Sequence, residues 1–156
     1  MAMAIGELLL EKSAQRVAQR GTDALFDRAL ERYGEEEGLT EDETEFIRET
    51  IDLVTEFEVA FRFHVKSRGD DAELEQFKES ARPLKKRATE LAVVAEMRSY
   101  RGGEAELLDT AAVAADFFAI HLTDAEDLAD TSAAMEFYRE CDIARDLIET
   151  VADEFG

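Results

Sequence analysis

Two histidines, one cysteine and 38 acidic side chains are what this 156-residue chain offers for metal binding, nucleophilic attack or acid–base work. His64 and His121 each follow a phenylalanine by three residues, Phe61 and Phe118. A di-metal site held in a helical bundle uses Glu-x-x-His on two helices, and that pattern is absent here. His64 falls beside Phe57 and Phe61 on an apolar helical face, the setting of a hydrogen-bonded core imidazole. His121 is expected at a helix C-terminus, where it can bond the last carbonyls or, protonated, meet the negative end of the dipole. Cys141 lies on an apolar seam with no base placed by the sequence to lower its pKa, so it reads as core packing. No Gly-rich phosphate loop or serine elbow occurs.

The carboxylates fall into groups. Glu45, Glu49, Asp52 and Glu56 recur at helical spacing opposite Phe46, Val54, Phe57 and Phe61. Such a row can hold hard cations, and it also serves as a solvated outer face. Glu49-x-x-Asp52 and Glu106-x-x-Asp109 match half of the magnesium-holding pattern of all-α nucleotide pyrophosphohydrolases; the Glu-x-x-Glu half occurs nowhere. The enzyme alternative is thus a small metal-dependent hydrolase or metal-binding bundle drawing on the Glu45–Glu56 stripe, Glu106, Asp109 and a histidine. The preferred reading assigns no catalytic residue, metal ligand or cofactor. Asp124, Asp127 and Asp130 sit where the final helical segment should begin, and there the dipole favours negative charge. Asp116 interrupts an otherwise apolar run from Ala111 to Ile120 and is expected to point outward.

The bases are fewer and less evenly spread. Residues 62–101 hold ten bases and seven acids, a local charge of +3, while the remaining residues hold eight bases and 31 acids, or −23. Lys78, Arg82, Lys85 and Lys86 lie on one side of the third helix; internal charge balancing within the monomer is the favoured reading, and the alternative is a candidate basic patch for a phosphate-bearing or acidic protein partner or another subunit's acidic surface. Aromatic residues do not interleave it, which gives no support for stacking single-stranded nucleic acid.

Placing these groups takes helices almost throughout, because no stretch alternates with period two long enough for a strand. The first segment runs from about Ala4 to Tyr33, with Gly21 a possible division, and Gly34 and Gly38 bracket a loop. Thr40 and Glu43 form a capping box opening a second helix that reaches about Lys66 and stops near Gly69. Asp70-Asp71-Ala72-Glu73 is a weaker box for the third helix. Leu74, Phe77, Ala81, Leu84, Ala88, Leu91 and Ala95 step alternately by three and four along it, a seam for a partner helix at a shallow angle. Pro83 should kink or restart this helix, and Gly102-Gly103 should end it.

The fourth helix, about Glu104 to Leu122, packs through Leu108, Ala111, Ala115, Phe118 and Leu122. Val113, Phe117 and Ile120 occupy its other side, so either this helix is the central one of the monomer or, as favoured, these three form a candidate interface with another subunit. Thr123-Asp124-Ala125-Glu126 reads as another capping box. The last segment then hesitates near Asp130-Thr131-Ser132 and continues on Ala134, Phe137, Cys141, Ala144, Ile148, Val151 and Phe155. The expected fold is all-α: one domain over 1–156, an antiparallel bundle of about five helices with heptad-like seams.

Composition sets the solvent. At 46% hydrophobic residues the chain can build a core, and at a net charge of −20 it repels itself. The balance resembles that of proteins from organisms that keep molar salt inside the cell, where screening makes such charge tolerable. It argues against nucleic-acid binding. No apolar run reaches the ~18–20 residues of a membrane span. The opening MAMAIGELLL, with no base ahead of its apolar run, is a poor secretory leader, and a single cysteine fits a reducing compartment. The expectation is a cytoplasmic, self-associating interaction, regulatory or assembly subunit.

Overall fold

A computed structural model of the chain describes residues 20–66 and 71–155. Six helices pack together, with no strand among the described residues: α1 (Arg20–Glu37), α2 (Glu41–Lys66), α3 (Asp71–Met97), α4 (Glu106–Ala125), α5 (Thr131–Glu140) and α6 (Asp142–Phe155). The expectation of about five missed one because the final segment divides. Residues 1–19, Gly69 and Asp70 lie outside the described residues. So do the side chains of His64, Asp71, Glu73, Ile148 and Phe155.

Local chemistry sets most boundaries. Helix α1 runs through Gly34, where a loop was expected, and ends in a Schellman motif. Gly38 takes φ +72°, its N–H bonds the Glu35 carbonyl, and the Leu39 N–H bonds that of Gly34 at 2.8 Å. Gly34 serves packing instead, since a Cβ there would meet Thr44 Oγ1 at 2.6 Å. The Thr40–Glu43 box forms as expected: the Thr40 N–H donates to Glu43 Oε1 at 2.9 Å and the Glu43 N–H to Thr40 Oγ1 at 3.2 Å.

Helix α3 passes through Pro83 without a new start, and all seven residues of its expected seam are buried. It ends before Gly102-Gly103, at a second Schellman motif. Ser99 occupies the left-handed position (φ 53°) and the Tyr100 N–H reaches the Ala95 carbonyl at 3.0 Å. The buried Tyr100 ring then meets Phe46 of α2, centroids 4.9 Å apart. That contact explains why a serine is held where glycine is the usual choice.

Helix α4 has a weak start. Ala105, its N-cap, offers no side-chain acceptor. The orphan N–H of Leu107 donates instead to the Tyr33 hydroxyl of α1, 3.1 Å away. The helix also overruns the box expected at Thr123–Glu126. Leu122 and Ala125 are both fully buried, and keeping both inside extends the helix a further turn. Asp130 caps α5 instead, accepting from the Ala133 N–H at 2.9 Å. The chain breaks again at Cys141 (φ −79°, ψ 47°), whose carbonyl accepts the Ala144 N–H to open α6.

Helix α4 packs against α2, α3 and α6, while α2 also meets α1, α3 and α6. The core follows that pattern: Phe57 of α2 approaches Phe118 of α4 (5.1 Å), Phe137 of α5 (6.2 Å) and Phe77 of α3 (6.3 Å). No helix of the described residues is long and apolar enough to cross a membrane.

Candidate functional site

The outer side of α4 is built by a helix with more apolar residues than one seam uses. Ile120 is 60% exposed, whereas Val113 and Phe117 are half-buried. Val113 shares a shallow groove of about 290 Å³ with Ile143, Asp146 and Glu149 of α6. The Phe117 ring lies 4.3 Å from the His121 imidazole, one turn on, and 5.7 Å from Phe118. The helix's second face is thus partly covered by the chain's own residues and opens most fully to solvent at Ile120.

Asp116, Asp124 and Asp109 near this face each have a partner. Asp116 points outward as expected, half-exposed and 3.5 Å from Arg101. His121 Nδ1 is 3.7 Å from Asp124 Oδ2. Asp109 accepts the Gly102 N–H at 2.7 Å, fixing the turn that leads into α4.

The candidate basic patch divides by exposure. Lys78 lies with its stem covered and its ammonium 3.3 Å from Glu75; Lys85 is half-buried; Arg82 and Lys86 stand in solvent. Arg87, outside the patch, pairs with Glu56 and ties α3 to α2. Sequence patterning missed an apolar continuation at the end of the same helix: Val93 is 49% exposed and Met97 79%.

Two carboxylates of the α2 stripe are drawn into ion pairs. Arg48 holds Glu45 at 2.6 Å and Arg87 holds Glu56. Desolvation, followed by the nearby Glu45 charge, raises the pKa of Glu49. Among the described residues no group of three or more His, Cys, Asp or Glu is placed to hold a metal ion. The acids that do converge line a groove of about 670 Å³ between α1 and α2: Asp27, Glu31, Glu35, Glu41, Asp42 and Glu45, with Leu30, Leu39 and Arg48.

A polar group inside the core also escaped notice. Glu58 is 3% exposed and accepts a 2.7 Å hydrogen bond from the Tyr138 hydroxyl. Tyr138 stacks flat on Phe61 (4.0 Å, 3°) with the Arg145 guanidinium 5.6 Å from its ring. The signal was present, since Glu58 comes four residues after Val54 and three before Phe61, in the buried register of α2. Cys141 lies close by. Burial first, then the negative field of Glu58, Glu140 and Asp142, raises its thiol to about 12. It is a buried, packed thiol, the place its seam position implied.

No protein-family model, curated protein or solved structure matches this chain.

Proposed function

We propose that the chain is a non-enzymatic interaction, regulatory or assembly subunit: an antiparallel helical bundle with heptad-like seams, cytoplasmic, that associates with copies of itself. The observation that carries this reading is Ile120, 60% exposed on a helix otherwise so deeply packed. With half-buried Val113 and Phe117 beside it, it marks an apolar association surface. A second copy fits the charge pattern, because a chain at −20 carries its net positive segment in residues 62–101 and can set it against the acidic remainder of a neighbour.

Light scattering of Ile120→Glu and Phe117→Glu tests this. Each should give a smaller particle than the parent protein while keeping its helical circular dichroism. Ile120 is exposed enough for its substitution to leave the fold intact, so an Ile120→Glu particle of unchanged size overturns the reading.

A further inference from the structure

The outer side of α4 carries metal-binding side chains next to its apolar ones. At about 100° of turn per residue, Val113, Phe117, Ile120, His121 and Asp124 all fall within about 100° of one another, on a single face. His121 and Asp124 stand at its C-terminal end, with side chains 44% and 67% exposed and His121 Nδ1 3.7 Å from Asp124 Oδ2. That separation is long for a hydrogen bond. It approaches the ~3.4 Å between two donors of a tetrahedral ion bound at about 2.0–2.1 Å. The Phe117 ring, 4.3 Å from the imidazole, packs against it on the same face. The pair is half of a four-donor site, and among the described residues of one chain no third His, Cys, Asp or Glu joins it.

We propose that two copies of the chain meet across a two-fold axis at this end of α4 and bind one Zn²⁺ through His121 and Asp124 of each. The inference rests on the α4 self-association proposed above and names the ion that completes the contact. A two-fold operation places the same patch on both subunits, so two half-sites become a set of two imidazoles and two carboxylates. Ile120, one residue before His121, then meets its copy beside the axis. Charge favours the ion. Two carboxylates balance one dication, the exposed Glu126 and Asp127 of the following turn add attraction for a cation, and two chains at −20 repel each other without one. The imidazoles select a zinc-type ion over Mg²⁺ or Ca²⁺, which take oxygen ligands.

Sedimentation velocity in 0.15 M KCl with EDTA, ZnCl₂ or MgCl₂, together with calorimetric titration by Zn²⁺, tests the site. His121→Ala and Asp124→Ala replace side chains that stand in solvent, and circular dichroism checks each fold. In EDTA the parent should associate through the apolar contact alone. Zn²⁺ at about 100 times its dissociation constant should tighten that association roughly hundredfold, with one ion bound per two chains. Both variants should keep the parental mass in EDTA and lose the response to zinc. No response of the parent to zinc, one ion per chain, an equal response to Mg²⁺, or a zinc response retained in His121→Ala overturns the site. Ile120→Glu separates the site from the reading it rests on. Parental mass for this variant in EDTA removes the apolar contact, whereas a zinc-driven dimer that still requires His121 upholds the metal site by itself.

Discussion

Tyr33 and Cys141 show how single polar atoms are handled inside this chain. The Tyr33 hydroxyl completes a helix 74 residues away by accepting the Leu107 N–H, which Ala105 leaves without a cap. Tyr33→Phe keeps the ring's packing and orphans that N–H at a fully buried residue. It should cost about 1–3 kcal/mol in urea unfolding, the range for an unsatisfied buried donor. A loss within error would mean that the amide has another acceptor. Cys141 responds to pH. An unfolded thiol titrates near 9 and this one near 12, so between those values the unfolded chain releases a proton that the fold retains. The thiol's contribution is therefore complete below pH 9 and is lost as pH rises toward 12. Stability measured from pH 8.5 to 11 should fall less steeply in Cys141→Ala than in the parent, and a disulfide reagent at pH 8 should label only unfolded protein.

Helix α3 is where sequence and structure agree best, and its one irregularity is testable. Pro83 is exposed and interior to a continuous helix, so it withholds one backbone hydrogen bond without packing in return. Pro83→Ala should stabilise the protein by up to about 3 kcal/mol in urea melts; an unchanged or lowered midpoint would show that the proline's backbone restriction is needed. The buried seam from Leu74 to Ala95 was legible because periodicity reports directly which side of a helix leaves water. Boundaries were legible where one residue decides them, as at Thr40. They were misread where distant packing decides. Thr123 carries every local mark of a cap, yet burial of Leu122 and Ala125 keeps it helical. Gly34 reads as punctuation but clears space for Thr44, and only the crossing of α1 with α2 reveals that. The candidate surfaces were legible in part. Ile120 could be assigned to the outer side of α4 by spacing, whereas the partial cover over Val113 depends on where α6 lies, and Val93 and Met97 stand out only once the seam of α3 is fixed.

For the molecule as a whole, charge is the term set against the core. At −20 and an isoelectric point near 4.4 the fold gathers like charges that an unfolded chain keeps farther apart. Glu154 records this locally, its pKa raised by desolvation and then by Glu106, Glu37 and Asp153. A carboxyl raised in the fold contributes its stabilisation when protonated and loses it as pH rises through the folded pKa, so Glu154 and Glu49 both penalise the fold at neutrality. Salt relieves the same repulsion without changing protonation. The Debye length shrinks from about 10 Å at 0.1 M to about 3 Å at 1 M, below the spacing of most surface charges. The thermal midpoint should therefore climb between 0.1 and 3 M KCl, each kcal/mol of relieved repulsion showing as roughly 3 °C in a chain of this length. Most of the climb should come before 1 M, where the Debye length has already fallen to that value. A rise confined to higher salt would point to ion exclusion strengthening apolar burial instead. A flat midpoint across the range would remove the high-salt explanation for the acidic surface, and the carboxylates between α1 and α2 would then need a partner to account for them.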